Sequence, residues 1–359
     1  MRYLFGSMGL CGLALAAVGG CSDTNPPSRT YDFSAVDSAV ADFMDAYGVS
    51  GLTLAVVHKD DGQIYEMGYG DFDRERVSLI ASTSKVLSAG VILTLVDDGV
   101  LELDRPVAQY LDWGDQHPTA TIRSLLSMMS GIPEDDPCVR DPADSMQDCA
   151  RVVFQDESQS VPTGEKFQYS ADAWQLAGAV AEVVSGRTWA ELVDERLVTP
   201  CGLTNTAYRN VDSSKPYADA LDGEPAAIPP SDNPVIAGGA YTTIGDYSEV
   251  LLMHLRGGRC GEQRVLSTAM VQTMQEALVP EGVPLPIWRF EAVNYGMGWW
   301  WFEDGPAPFV DTGAWGARSV LHPDEGWGAI LIIEANTAVG SIMYRDIVPF
   351  IREAVAEAN

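Results

Sequence analysis

Basic residues are scarce. The chain of 359 residues carries 22 Lys and Arg against 51 Asp and Glu, a formal net charge of −29 at pH 7. Such a chain repels nucleic acid and anionic membrane surfaces. The excess of acid reads either as a solubility device or as an attraction for cationic substrates. Histidine is rare too: His58, His117, His254 and His322 are the four present, and none stands in an HExxH arrangement. No CxxC pair occurs, so the common zinc patterns are missing and no metal or cofactor is called for. The acidic run Glu134-Asp135-Asp136 lacks EF-hand spacing and reads as a solvated loop. A GxSxG elbow is missing as well, which argues against a Ser-His-Asp reading on an α/β-hydrolase frame.

Only one long apolar run exists, Leu4 to Val18, and it is short for a membrane span. Arg2 precedes it and Val18-Gly19-Gly20-Cys21 follows it. This pattern resembles a bacterial lipoprotein signal peptide over residues 1–21, with Cys21 as the lipid-accepting residue. A linker over 22–31 follows (SDTNPPSRT and onward). The expectation is an exported protein of the bacterial cell envelope, periplasmic or outer-membrane-attached, that touches a membrane through its lipid anchor only. Plain secretion with an incidental Cys21 is the alternative. Export implies an oxidising compartment. Of the three pairings open to Cys138, Cys149, Cys201 and Cys260, Cys138–Cys149 (a short loop) and Cys201–Cys260 are favoured.

The hydrophobic fraction of 46% allows a sizeable core, in one large domain or two intimate ones. Ser34 to Tyr47 has helical spacing and stops at Gly48. Gly51 to His58 and Gln63 to Gly70 flank the turn Asp60-Asp61-Gly62 and read as a hairpin. A helix is expected over Ser82 to Asp98, ended by Gly99, and further helices over 122–129, 173–184 and 189–198. Strands are expected at 295–302, 315–321 and 328–334, with a closing helix over 341–356. The fold class is thus an α/β (α+β) sandwich. Its mainly antiparallel sheet is assembled from both chain ends (32–103 and 236–359) and flanked by helices, with an all-helical insertion at 104–235.

Three segments carry chemistry. In Ser82-Thr83-Ser84-Lys85, residues three apart share a helix face, so the hydroxyl and the ammonium meet. A serine hydroxyl needs a base to take its proton, and a lysine serves if its environment favours the neutral amine. Alone, SxxK is close to a coincidence of composition. Tyr169, in Gln168-Tyr169-Ser170-Ala171, stands ahead of a helix where it can shuttle a proton, or simply pack. Asp311-Thr312-Gly313-Ala314 precedes a strand-like run. A glycine on an edge strand lets a substrate approach the backbone, and the N–H groups of Ala314 and Ser82 then form an oxyanion hole; a strand-leading turn also explains Gly313. Trp299-Trp300-Trp301 reads as core packing before an aromatic substrate wall.

The order SxxK, Tyr-x-x, Thr-Gly resembles the serine β-lactamase-like and penicillin-binding-protein-like superfamily. Class C β-lactamases, D,D-carboxypeptidases, D-aminopeptidases and family VIII-type esterases belong to it. The likeness extends through 80–111, 121–133, 237–247, 295–299 and 311–323. It implies Ser82 as the acylated serine, Lys85 as its base and Tyr169 as the second proton-transfer group. It also implies an oxyanion hole of the Ser82 and Ala314 amides, with Ala171, Asp311, Thr312 and Gly313 along the substrate.

Two positions depart from the family pattern. Ala171 stands where the tyrosine motif commonly ends in Asn, and Asp311 where the third motif commonly opens with Lys or His. An aspartate repels a substrate carboxylate and can pair with Lys85. The expected activity is therefore hydrolysis of neutral or cationic small esters or amides, before β-lactams or D,D-peptides. A catalytically weak binding protein on the same fold is the reading from another class. Nothing in the sequence speaks to oligomeric state.

Overall fold

The computed structural model describes residues 29–114, 116–134, 136–157, 160–221, 223–286 and 292–358. The expected signal peptide, Cys21 and the linker as far as residue 28 lie outside them.

Seven strands form one antiparallel sheet: β1 (Gly51–His58), β2 (Gly62–Gly70), β3 (Ala292–Tyr295), β4 (Trp300–Phe302), β5 (Phe309–Thr312), β6 (Arg318–His322) and β7 (Trp327–Ile332). Their order is β2-β1-β7-β6-β5-β4-β3, so the N-terminal hairpin completes a sheet otherwise made from the C-terminal third. β1 and β7 are buried along their whole length, because helices cover both faces. Alternation still sorts their side chains. Leu52, Leu54, Val56, Ala329 and Leu331 join one apolar cluster with α1 (Ser34–Tyr47) and α5 (Thr337–Ala356). Ala55, Val57, Ile330 and Ile332 face the other way, into a cluster shared with α2 (Ser84–Asp97), α3 (Ala171–Ser185) and α4 (Ile244–Leu255). That second cluster runs on through the mainly helical 104–235 stretch, so the insertion and the sheet share one core. The stretch is not purely helical. Ala207–Tyr208 pairs with Ala240–Thr242, which pairs with Ser78–Leu79, in a small three-stranded sheet.

Several local expectations change. The helix expected from Ser82 begins as a 3-10 turn, Ala81–Thr83, and becomes α-helical at Ser84. Every residue from Ser84 to Leu95 is buried, so α2 is an interior helix rather than an amphipathic one. The strand expected over 295–302 is broken by a turn at 296–299, and the one expected from Trp315 begins at Arg318. The helix expected over 189–198 passes into a π-helical turn at Asp194–Val198. Residues 29–31 are docked, not linker-like. Arg29 Nη2 donates to Asp60 at 2.9 Å, and Tyr31 OH donates to Asp61 at 2.6 Å. Both favoured disulfides, Cys138–Cys149 and Cys201–Cys260, are formed.

Candidate active site

Ser82 lies in the 3-10 turn that leads into α2 and is partly exposed beside buried neighbours. The turn is strained at Ala81, a buried non-glycine residue at φ +46°. Neighbouring bonds hold it in place. Ser84 Oγ donates to Ala81 O at 2.6 Å and accepts from Ala240 N at 3.0 Å, tying the helix start to the small sheet. Tyr208 OH donates to Ser84 O at 3.1 Å and bonds Ser88 Oγ at 2.8 Å. Burial first, and then the Asp311 carboxylate, push the Tyr208 hydroxyl well above its ordinary value, so it stays a neutral hydrogen-bonding group.

Lys85 is 2% exposed. Its Nζ lies 3.1 Å from Ser82 Oγ and donates to Ala237 O at 2.7 Å. Ala237, in the segment 233–239, contributes a backbone carbonyl, which no side-chain motif signals. The segment is bracketed by Gln175, which donates to Asn233 Oδ1 at 2.6 Å and Pro234 O at 2.9 Å, and by Ser88, which donates to Ile236 O at 2.7 Å.

Tyr169 is brought to the same place. The loop before α3 is zipped to the 128–131 turn through Gln168 N to Met128 O at 2.9 Å and Val161 N to Gly131 O at 3.1 Å. Gly131 is at φ +83°, and a Cβ there would lie 1.9 Å from Val161 O, so only glycine fits. The Tyr169 ring sits 4.6 Å from Lys85 Nζ and stacks on Trp300 with centroids 5.8 Å apart. Trp299 and Trp300 are both fully buried in the core, in line with the core-packing reading, and Trp300 backs the Tyr169 ring. Ala171 opens α3, nearly buried.

β5 lies between β4 and β6, and its pairing with β4 stops at Val310, so the stretch from Asp311 to Gly313 runs on past that neighbour. Gly313 is required where the chain comes close to itself. A Cβ there would lie 2.3 Å from Ile80 O, two residues before Ser82. The close approach is between two parts of the chain, and it sets Ala314 beside the serine turn. Among the described residues, the N–H groups of Ser82 and Ala314 take no part in the backbone hydrogen bonds. Asp311 is 1% exposed and accepts from Thr312 N at 2.7 Å. It pairs in register with Ser319 and shares its side of the sheet, where Tyr247 OH meets Ser319 Oγ at 3.0 Å. Burial first, and then Asp311, raise the Tyr247 hydroxyl far above its ordinary value. Asp311 thus acts on the buried tyrosines under α2. Thr312 faces the opposite side with Arg318. The histidines are engaged elsewhere: His58 with Arg29, His117 near Asp156 O, His254 against Trp299, and His322 with Glu325.

The family model for Beta-lactamase matches residues 36–346. The chain belongs to the beta-lactamase family. Penicillin-binding protein 4 of Amycolatopsis lactamdurans is 30% identical over 329 residues, 83% of this chain and 84% of that one. The “putative beta-lactamase” of Bacteroides dorei DSM 17855 superposes with a TM-score of 0.75 at 27% identity, covering 91% of this chain and all of that one. EstCE1, a hydrolase with promiscuous acyltransferase activity, shares the fold at a TM-score of 0.69 and 19% identity, over 89% of this chain and 97% of that one. Within this beta-lactamase-family frame, the serine, lysine and tyrosine of the three motifs converge on one place. The two departures, Ala171 and Asp311, are both buried.

Proposed function

We propose that this protein is a serine hydrolase acting through an acyl-enzyme on Ser82, with neutral or cationic small esters or amides as substrates. The contact of Ser82 Oγ with the buried Lys85 Nζ at 3.1 Å carries the reading. With Lys85 as the neutral amine, Ser82 Oγ attacks the carbonyl carbon while its proton passes to Nζ. The carbonyl π pair moves onto oxygen, where the Ser82 and Ala314 N–H groups receive it. The tetrahedral species then collapses and the leaving group departs with a proton delivered through Tyr169. Water repeats the sequence on the acyl-enzyme and restores Ser82. The buried carboxylate of Asp311, where the family commonly carries a cation, and the net charge of −29 support substrates without a carboxylate.

A fluorophosphonate probe followed by peptide mapping is expected to label Ser82. Ser82→Ala is expected to lower p-nitrophenyl ester hydrolysis at least about 10³-fold. An unlabelled Ser82, with hydrolysis unchanged in Ser82→Ala, would sink the proposal. The likeness to a penicillin-binding protein supports a second reading, a β-lactamase or D,D-peptidase. Nitrocefin turnover or a stable penicilloyl adduct on Ser82 would promote it. A tight ligand without turnover of any ester would instead favour a binding protein. We also infer export with lipid attachment at Cys21, supported by the run from Leu4 to Cys21. Labelled palmitate that enters the native chain but not Cys21→Ser is the matching test.

A further inference from the structure

We propose that Trp174, with Tyr169, is the positioning group for Lys85 and takes over from the amide that is missing at Ala171. The inference rests on the acyl-serine reading of Ser82 and Lys85. Ala171 and Trp174 are three residues apart in α3 and share one face of that helix. The methyl of Ala171 reaches no farther than its own turn, and the large side chain one turn on is fully buried at Trp174. The indole lies 5.9 Å from Lys85 Nζ, and the Tyr169 ring lies 4.6 Å away. An ammonium has three N–H donors. Two of these are accounted for by Ser82 Oγ and Ala237 O. The side chain is 2% exposed, and the rings of Tyr169 and Trp174 border its Nζ. Gln175, next along the chain, fixes α3 to the 233–236 segment that presents Ala237 O, so the acceptor and the indole are set by the same helix.

The chemical consequence follows from the proton's path. When the Ser82 Oγ–H bond breaks and the Nζ–H bond forms, Nζ becomes a cation inside a dry pocket. Ring faces with negative quadrupoles stabilise that cation as it develops, whereas an amide would have done so through its oxygen. The ionisable groups on elements packed around Lys85 include Tyr169 in the loop before α3, Asp172 at the start of α3, Tyr208, Tyr247, Tyr295 and Asp311 on β5. None is changed in the variants below.

The test is the acylation rate, read as the pre-steady-state burst with a p-nitrophenyl ester, across pH. Site-specific incorporation of fluorinated tryptophans at position 174 weakens the quadrupole while keeping size and fold. Each added fluorine is expected to lower the rate on the alkaline plateau and to move the acid limb to lower pH, with KM nearly constant. Trp174→Leu is expected to lose roughly 5- to 30-fold on that plateau, and Trp174→Phe, which keeps a ring, less than about 3-fold. Adding Ala171→Asn to Trp174→Leu is expected to recover part of the loss. Equal losses for Phe and Leu, or a rate and acid limb indifferent to fluorination, would overturn the proposal. Ser82 labelling separates the two levels. If the probe labels Ser82 while fluorination has no effect, only the role of Trp174 fails; without labelling, the acyl-serine reading itself fails.

Discussion

On the face of the sheet covered by α1 and α5, Val310, Val320, Leu331 and Ile347 meet as hydrocarbon. On the opposite face, Lys85, Ser84, Ser88, Tyr208, Tyr247, Ser319, Asp311 and His254 are buried alongside the apolar core. Burying polar groups costs stability unless each finds a partner, so the second face is the expensive one. It is also the one that carries strain at Ala81 and the approach of Gly313 to Ile80. The contrast indicates where the fold's excess stability is generated and where it is spent. Even the buried Arg318, on the hydrocarbon side, uses its donors to hold the turn after β5. It donates to Gly313 O at 3.3 Å, Ala317 O at 3.0 Å and Thr337 O at 2.9 Å.

If the polar face is the weaker one, a constraint tied to it should matter most. The Cys201–Cys260 bridge closes 59 residues of sequence between the insertion and the strand after α4. Replacing both cysteines with serine is expected to cost about 4 kcal/mol in urea unfolding under oxidising conditions. A loss as small as for any surface substitution would break the comparison.

Next in size is a pH effect. Burial lowers His254 from 6.5 to about 4, so the folded chain keeps the ring neutral while the unfolded chain protonates it below 6.5. The stability associated with this group is therefore complete above pH 6.5 and is lost as pH falls toward 4, by up to about 3 kcal/mol. Unfolding of His254→Phe, measured between pH 4 and 7, is expected to lose this slope. A slope identical to that of the native chain would remove His254 from the account.

Gly313→Ala places a Cβ 2.3 Å from Ile80 O, so the serine turn or β5 must shift. The expected cost is about 1–3 kcal/mol, with slower fluorophosphonate labelling of Ser82 than that loss alone explains. Normal labelling would show that the turn absorbs the methyl without moving the serine. The smallest effect belongs to the hydrocarbon face. Ile347→Val is expected to cost about 1 kcal/mol and leave ester turnover unchanged. A fall in turnover there would mean that the two faces are coupled.

Much of this was legible in the residue order. Ser82 with Lys85 could be read from helical spacing and Gly313 from its being glycine, whereas Tyr169 and Ala314 entered through the family resemblance. So were the hairpin of β1 and β2 and both disulfides. The helical period alone did not show that α2 is buried on every side, because burial depends on what surrounds the helix. The break at 296–299 escaped because aromatic runs suit strands and turns at sheet ends alike. Trp174 and the Ala237 carbonyl carried no motif, since one is a generic core residue and the other a backbone group.

The sequence by itself determined which groups can do chemistry and which are missing: a serine and a lysine three residues apart, no second cation at 311 and no amide at 171. Tertiary structure decided what those substitutions mean. Strand register fixes the side of the sheet to which Asp311 points, and the packing of α3 against α2 brings an indole up to the lysine. Both are outcomes of contacts between residues far apart in the chain, which local spacing cannot encode.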